Sequence, residues 1–281
     1  MKIIHNLDLT EYNSYKVHSI AETAYFPETI EDVISVVSKV SPIIIGGGCN
    51  VIFTKDFYTQ PIVFIRDNFS GIRQDREHLL VKAGTNLKLL SEYAMSHSLS
   101  GLERYFDIPG CVGGATIMNA GCNGESFSDL IEKVVFYNID EQTIASFQKD
   151  ELQFEYRGNV FKTMNVVVLE VELSLRKGEK NEIAALMETT KATRCEKQPR
   201  EYPSAGSVFK RPQGHFVGPM ITDVGLKGYR IGDAMISDKH AGFIVNVGHA
   251  TANDILSLIE LAQKRVKERY NIILETEQRY I

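Results

Sequence analysis

GLERYFDIPGCVGGATIMNAGCNGE, residues 101–125, is the stretch on which the reading of the fold turns. Its glycines break the apolar residues into groups too short for a helix face or a long strand, so it reads as exposed backbone. Glycine admits positive φ and close approach of another group, and successive N–H groups in such turns form concave anion-binding nests. From glycine content alone, a buried hairpin with tight turns reads equally well. A second cluster upstream, Gly46, Gly47 and Gly48, tips the balance. Two nests on one chain suit a ligand with two phosphates, such as a dinucleotide.

Two familiar phosphate-binding motifs are excluded. A Rossmann fingerprint needs GxGxxG followed at once by a helix. Here Gly46-x-Gly48 is followed by CNVIFTKDFYTQPIVFIRDN, in which Val51, Ile52 and Phe53 and then 61–65 read as strand, turn, strand. Asp67 falls where a ribose-binding acid would, but reads as a turn residue. Neither cluster is followed by the Lys and Ser/Thr pair of a P-loop. The expectation is that these glycines bind from loops between strands.

Upstream of the first cluster, 21–26 reads as a strand, and ETIEDVISVVSK puts Ile30, Val33, Ile34 and Val37 on one helix face. Between the clusters, 78–83 reads as a strand, and Thr85 is the expected N-cap of a helix facing inward with Leu87, Leu90, Ala94 and Met95. Downstream, alternating runs at 134–139, 143–147 and 165–175 suggest an antiparallel meander. Within it lies LQFEYRGN, where an arginine such as Arg157 is most often a solvated loop residue.

At 176–180 the pattern changes, with charge and Gly178, and a domain boundary is expected there. A helix with Ile183, Leu186 and Met187 then ends in the basic run Lys191, Arg194, Lys197 and Arg200. That run suits a helix C-terminus by its dipole, or the recognition of phosphates. SAGSVFKRPQG follows; Ser207 lies in no GxSxG elbow and has no nearby His partner in sequence. VGPMITDVG reads as helical, and 234–236 and 242–247 as short strands. Thr251 and Asp254 form a capping box before a helix whose apolar face is Ile255, Leu258, Ile259, Ala262 and Val266. The tail NIILETEQRYI alternates as an edge strand, with Glu275, Glu277 and Arg279 on one side.

The 281 residues suffice for one large domain or two modest ones. A hydrophobic content of 43% and a charged content of 24% are ordinary for a globular protein. A net charge of -5 argues against nucleic acid or an anionic membrane surface as the main partner. The start MKIIHNLDLTEYNSYK lacks the apolar run of a signal peptide, and no later segment approaches a membrane span, so a cytoplasmic protein is expected. Cys49, Cys111, Cys122 and Cys195 make no CxxC pair or zinc spacing, and the histidines make no HExxH. No metal site is expected.

Taken together, YNSYK, IIIGGGCN, GLERYFDIPGCVGGATIMNAG, FEYRGN, SAGSVFKRP, GLKGYRIGDAMIS with DKHAGFIVN, and LETEQRYI resemble one family, the UDP-N-acetylenolpyruvoylglucosamine reductases (MurB), in its second, shorter type. The motifs occur in the family's order and span nearly the whole chain. The resemblance implies an α+β fold. An FAD-binding domain of the p-cresol methylhydroxylase type would occupy 1–177, with its core at about 21–175. A smaller α/β substrate-binding domain would occupy 178–281, its final strand returning to the active site.

The resemblance further implies that FAD is held by Gly46, Gly47, Gly48, Cys49, Asn50 and Val51 and by Gly110, Gly113, Gly114, Ala115, Asn119 and Gly121. NADPH would be the reductant. The small-molecule substrate would be enolpyruvyl-UDP-N-acetylglucosamine, met by Tyr156, Arg194, Lys197 and Lys210, and the protein would act as a monomer. Arg157 would polarise the substrate carboxylate, Glu277 would assist as a protonated acid or through a shared hydrogen bond, and Ser207 would donate a proton to the substrate carbon. The chain departs from common family residues at Val17, His18, Cys49, Asp107, Asn123 and Arg211.

Overall fold

The computed structural model describes every residue, 1–281. The chain folds into two compact units drawn from interleaved segments. One comprises Met1–His5, Thr23–Gly47 and Gln60–Ala192; the other comprises Asn6–Glu22, Gly48–Thr59 and Thr193–Ile281.

In the first unit, the strands Ile43–Ile45 and Ile62–Phe64 pair in parallel, and Ala24 and Tyr25 pair in parallel with Ile62 and Val63. The strand holding Ala24 and Tyr25 and the strand Ile43–Ile45 run parallel on either side of Ile62–Phe64, and the crossover between them is helix α1 (Ile30–Val37). Ile62, Val63 and Phe64 are all buried, the continuous apolar run expected of a parallel strand covered on both faces. Thr29 and Asp32 form a capping box at the start of α1, a feature worth about 1 kcal/mol. Its fully buried face is Val33, Val36 and Val37, with Ile30 and Ile34 partly buried beside it.

The meander is present and larger than expected. Strands Thr143–Gln148, Ile131–Asn138, Val166–Ser174, His78–Lys82 and Ile72–Asp75 form, in that order, a five-stranded antiparallel sheet. Its inner face joins α1 and helix α2 (Leu87–Ser96) in one core, to which Leu79, Val81, Leu87, Leu90, Val134 and Val171 contribute.

Two local expectations are corrected here. The N-cap of α2 is Asn86, whose side chain accepts from Lys88 N at 2.9 Å. The Thr85 hydroxyl is instead engaged with Gly71, accepting from its N–H at 3.1 Å. The glycine-rich stretch is not loop throughout, because Val112–Met118 forms helix α3. Glycine disfavours a helix by up to about 1 kcal/mol per residue. Burial of Val112, Ala115 and Thr116 and a left-handed C-cap at Asn119, φ 42°, hold α3 despite it.

The second unit contains the three-stranded antiparallel sheet Arg230–Ile231, Ala234–Ile236 and Ile244–Asn246. Helix α4 (Lys180–Lys197) delivers its last turn to this unit, and helices α5 (Val217–Asp223) and α6 (Ala252–Tyr270) build the core with the sheet. The capping box of α6 and its five-residue apolar face are as expected, and Ile255, Leu258, Ile259, Ala262 and Val266 are all buried. The tail is only partly a regular strand. Arg279–Tyr280 pairs in parallel with Val51–Ile52, whereas the preceding residues are tied irregularly to the serine segment. No helix is long and apolar enough to cross a membrane.

Candidate active site

Within the first unit the two glycine clusters converge. A Cβ added at Gly46 would lie 2.7 Å from Cys111 Sγ, and 4.0 Å from Gly114 N. Cys111 is buried, with its thiol directed at Ile65 O. The backbone at Gly46 therefore lies against the start of α3, where Gly113, Gly114 and Ala115 fall. Glycine at 46 is required by the packing of these two segments, which brings their main chains together.

Arg157 sits on a tight turn in which Glu155 and Gly158 exchange backbone hydrogen bonds of 3.0 and 3.3 Å. Its φ is +59°, a left-handed conformation that is uncommon in a residue with a side chain and persists where surrounding structure imposes it. The guanidinium donates to Asn119 O at 3.4 Å and Gly121 O at 3.5 Å, and lies 4.9 Å from the Tyr156 ring centroid. A Cβ at Gly121 would lie 2.8 Å from Arg157 Nη1 and 3.0 Å from Glu125 O, so glycine there leaves room for the guanidinium. Asn119 secures the arrangement. Its amide donates to Glu155 O at 2.9 Å and its Oδ1 accepts from Ser128 N at 3.0 Å, joining the end of α3 to the arginine turn. Arg157 is thus docked on the second glycine segment, where its planar fork of donors suits a carboxylate.

The other two proposed catalytic residues come together in the second unit. Ser207 is exposed, follows Gly206 at φ +78°, and bridges to Phe243. Glu277 N donates to Val208 O at 2.8 Å, and Phe209 bridges to Thr276. Glu277 and Ser207 therefore occupy adjacent extended segments. The glutamate strand is also fastened to the first glycine motif. Asn50 Nδ2 donates to Glu277 O at 3.0 Å, and Arg279 N donates to Asn50 O at 3.0 Å.

Of the proposed substrate residues, Tyr156 stacks on Arg157, and Arg194 and Lys197 occupy the last turn of α4. Lys210 is paired with Glu275 at 2.9 Å, a partly exposed contact of the kind worth at most about 1 kcal/mol. A bound diphosphate can compete with it. Sequence reading gave no role to Tyr15 or Gln278, both buried beside the serine segment. Alternation alone puts Glu277 on the charged side of an edge strand, and it is the family resemblance that singles it out.

His240 lies close to the serine segment, accepting from Gly242 N at 3.1 Å and packing edge-on against Phe243 at 4.9 Å. Burial of the ring lowers its pKa from the ordinary 6.5, and Lys227 acts in the same direction. The unfolded chain then binds this proton more readily than the fold does. The stability associated with neutral His240 is complete above about pH 6.5 and is lost as pH falls through that value toward the folded pKa. An NMR titration of the His240 ring is expected to give a midpoint below 6.5; a midpoint above it would contradict this assignment.

Two other features stand apart from these residues. A cleft of about 690 Å³ in the first unit is lined by Glu103, Arg104, Tyr105, Glu125, Lys149 and Arg176, with charges of both signs. None of the proposed site residues lines it. On the antiparallel sheet, His78, Glu132 and Glu172 place ligand atoms within 4.8 Å of one another, a grouping hidden by their separation in sequence. His78 Nδ1 lies 3.0 Å from a Glu132 carboxylate oxygen, and Lys133 pairs with Glu172 at 2.7 Å. These are polar pairs across neighbouring strands.

Residues 21–140 match the family model of an FAD binding domain, and 198–281 match that of the UDP-N-acetylenolpyruvoylglucosamine reductase C-terminal domain. The chain is 37% identical to the UDP-N-acetylenolpyruvoylglucosamine reductase of Syntrophomonas wolfei, over 98% of this chain and 94% of that protein. The protein of the same name from Alkaliphilus oremlandii is 38% identical, over 97% and 91%. The crystal structure of UDP-N-acetylenolpyruvylglucosamine reductase from Thermus caldophilus superposes with a TM-score of 0.83 at 32% identity, covering 99% of this chain and 98% of that one. The α+β fold with its FAD-binding domain of the p-cresol methylhydroxylase type, FAD as cofactor, and reductase activity in peptidoglycan precursor synthesis follow from these matches. Matched in both parts and over almost its entire length, the chain belongs to the UDP-N-acetylenolpyruvoylglucosamine reductase family.

Proposed function

We propose that the chain reduces enolpyruvyl-UDP-N-acetylglucosamine to UDP-N-acetylmuramate with NADPH as the electron source, and that Arg157, Ser207 and Glu277 carry the chemistry. The observation that supports this most is the backbone bond from Glu277 N to Val208 O, 2.8 Å, which sets a carboxyl group and a hydroxyl on neighbouring segments. When bound and reduced, FAD supplies the hydride to the methylene carbon of the enolpyruvyl ether. Charge then develops beside the substrate carboxylate. Arg157 binds that carboxylate and stabilises the enediolate more strongly than the ground state, as preorganised donors do. Glu277 assists as a hydrogen-bond partner, and Ser207 Oγ gives its proton to the carbanionic carbon, which is basic enough to take it.

The cofactor residues are the two glycine segments, 46–51 and 110–121, whose main chain would meet the pyrophosphate. Arg194, Lys197 and Lys210 supply charge-assisted donors for the substrate diphosphate. The division into an FAD-binding part, 1–177, and a substrate-binding part, 178–281, belongs to the same reading. A net charge of -5 argues against nucleic acid as the main partner. We place the protein in the cytoplasm, where nucleotide sugars and NADPH are found together.

Replacing Gly46 with Val tests the convergence of the two glycine segments. The added side chain meets Cys111 Sγ, so purified protein is expected to carry much less flavin while its far-UV circular dichroism stays near the parent's. Full flavin content would remove Gly46 from the cofactor site. For the reaction itself, incubation with substrate and either NADPH or NADH, followed by mass spectrometry, is expected to give a product two hydrogens heavier, faster with NADPH. No such product with either nucleotide would refute the reading.

A further inference from the structure

Gln278 lies between Glu277 and Arg279 and is only 3% exposed. Its amide is fully engaged. Nε2 donates to Ala205 O at 3.1 Å and to Gly206 O at 3.3 Å, and Oε1 accepts from the Tyr15 hydroxyl at 3.0 Å. Both carbonyls can only accept, so this orientation of the amide is dictated by its partners. Tyr15 is itself completely buried, and Asn246 Nδ2 donates to its backbone carbonyl at 2.9 Å. Burial raises the Tyr15 pKa well above the ordinary tyrosine value, keeping the hydroxyl a donor.

A buried amide is an expensive way to fill space. Tyr15, which donates to this amide, belongs to an apolar cluster with Ile52, Ala205, Val208 and Leu274, where polar atoms are costly to bury. What the amide adds is direction. It grips the two peptide carbonyls immediately before Ser207, at a glycine whose φ of +78° leaves the segment without a side chain to fix it. On its other side, the same residue's backbone continues into Glu277. One side chain thus ties the serine segment to the glutamate segment, and Tyr15 fixes its rotation.

We propose that Gln278, oriented by Tyr15, is a positioning residue that sets where Ser207 Oγ stands relative to Glu277 and to the carbon it protonates. This rests on the reading of Ser207 as proton donor. Gln278→Met retains length and volume but has no amide, and Tyr15→Phe removes one oxygen. Misplacing a reacting group by about 1 Å costs up to ~10²-fold in rate. The effect is confined to the step in which Ser207 acts.

The test is rapid mixing of the FAD-loaded protein in two stages, reduction by NADPH and reoxidation by the enolpyruvyl substrate, for the parent, Gln278→Met, Tyr15→Phe and Ser207→Ala. Gln278→Met is expected to reduce at the parent rate within about twofold. It should reoxidise at least about tenfold slower, with a larger solvent deuterium isotope effect as proton delivery becomes limiting. Tyr15→Phe should shift the same step in the same direction by less, and serves alone if Gln278→Met does not fold. Slow reoxidation in Ser207→Ala with parent-like reoxidation in Gln278→Met and Tyr15→Phe would overturn this proposal while leaving the Ser207 assignment standing. So would equal slowing of both stages. Parent-like reoxidation in Ser207→Ala would overturn both.

Discussion

Ser207→Ala is expected to leave reduction of the flavin by NADPH at the parent rate and to slow transfer to the enolpyruvyl substrate by roughly 10²–10⁴-fold, the usual contribution of a positioned acid. The two halves separate because the hydroxyl is needed only where a carbon must gain a proton. Stability should hardly change. Ser207 is exposed and its structural contact is the backbone bridge to Phe243, so truncation to Ala leaves no buried polar group unpaired. Stopped-flow absorbance of the flavin band reads both stages separately. Equal loss in both, or loss in reduction alone, would remove Ser207 from the proton-donor role.

Arg157→Lys is the second large effect. Lysine keeps the charge but not the planar fork, and at a bidentate or stacked site that exchange is not conservative. The turn holding residue 157 at φ +59° is defined by Glu155 and Gly158, so the backbone can persist while the contacts with Asn119 O, Gly121 O and the Tyr156 ring are lost. Loss of one preorganised donor set typically costs ~10²–10³ in kcat, about 3–4 kcal/mol. We expect kcat to fall by that order and reduction by NADPH to be nearly unaffected. An Arg157→Lys variant with the parent's kcat would mean that only charge matters there.

The contrast between α6 and α3 shows what the sequence makes legible. In α6, a capping box and a 3.6-residue apolar period agree, and both appear where expected. In α3, the pair Gly113 and Gly114 argues locally against the helix that packing enforces. Thr85 is the cap that the sequence suggests, but its hydroxyl is engaged with Gly71 and Asn86 caps the helix instead.

The site divides in the same way. The glycine clusters announce exposed backbone, but their convergence at Gly46 and Cys111 is tertiary. Composition and spacing make Arg157 an ordinary loop residue, because the carbonyls that dock it lie 38 and 36 residues away. Gln278 is still less visible, with partners 263 and 73 residues distant. The compact units interleave for a related reason. Val51–Ile52 pairs with the last strand, and periodicity says which face is buried but not which distant segment covers it.

The most direct measurement is an anaerobic titration of the purified protein, followed at the visible flavin band, with NADPH added first and enolpyruvyl-UDP-N-acetylglucosamine second. The account predicts bleaching by NADPH and recovery of the band on adding the second compound, with UDP-N-acetylmuramate formed in proportion. Bleaching without recovery would contradict the substrate assignment, and a colourless protein that FAD does not reconstitute would contradict the cofactor site itself.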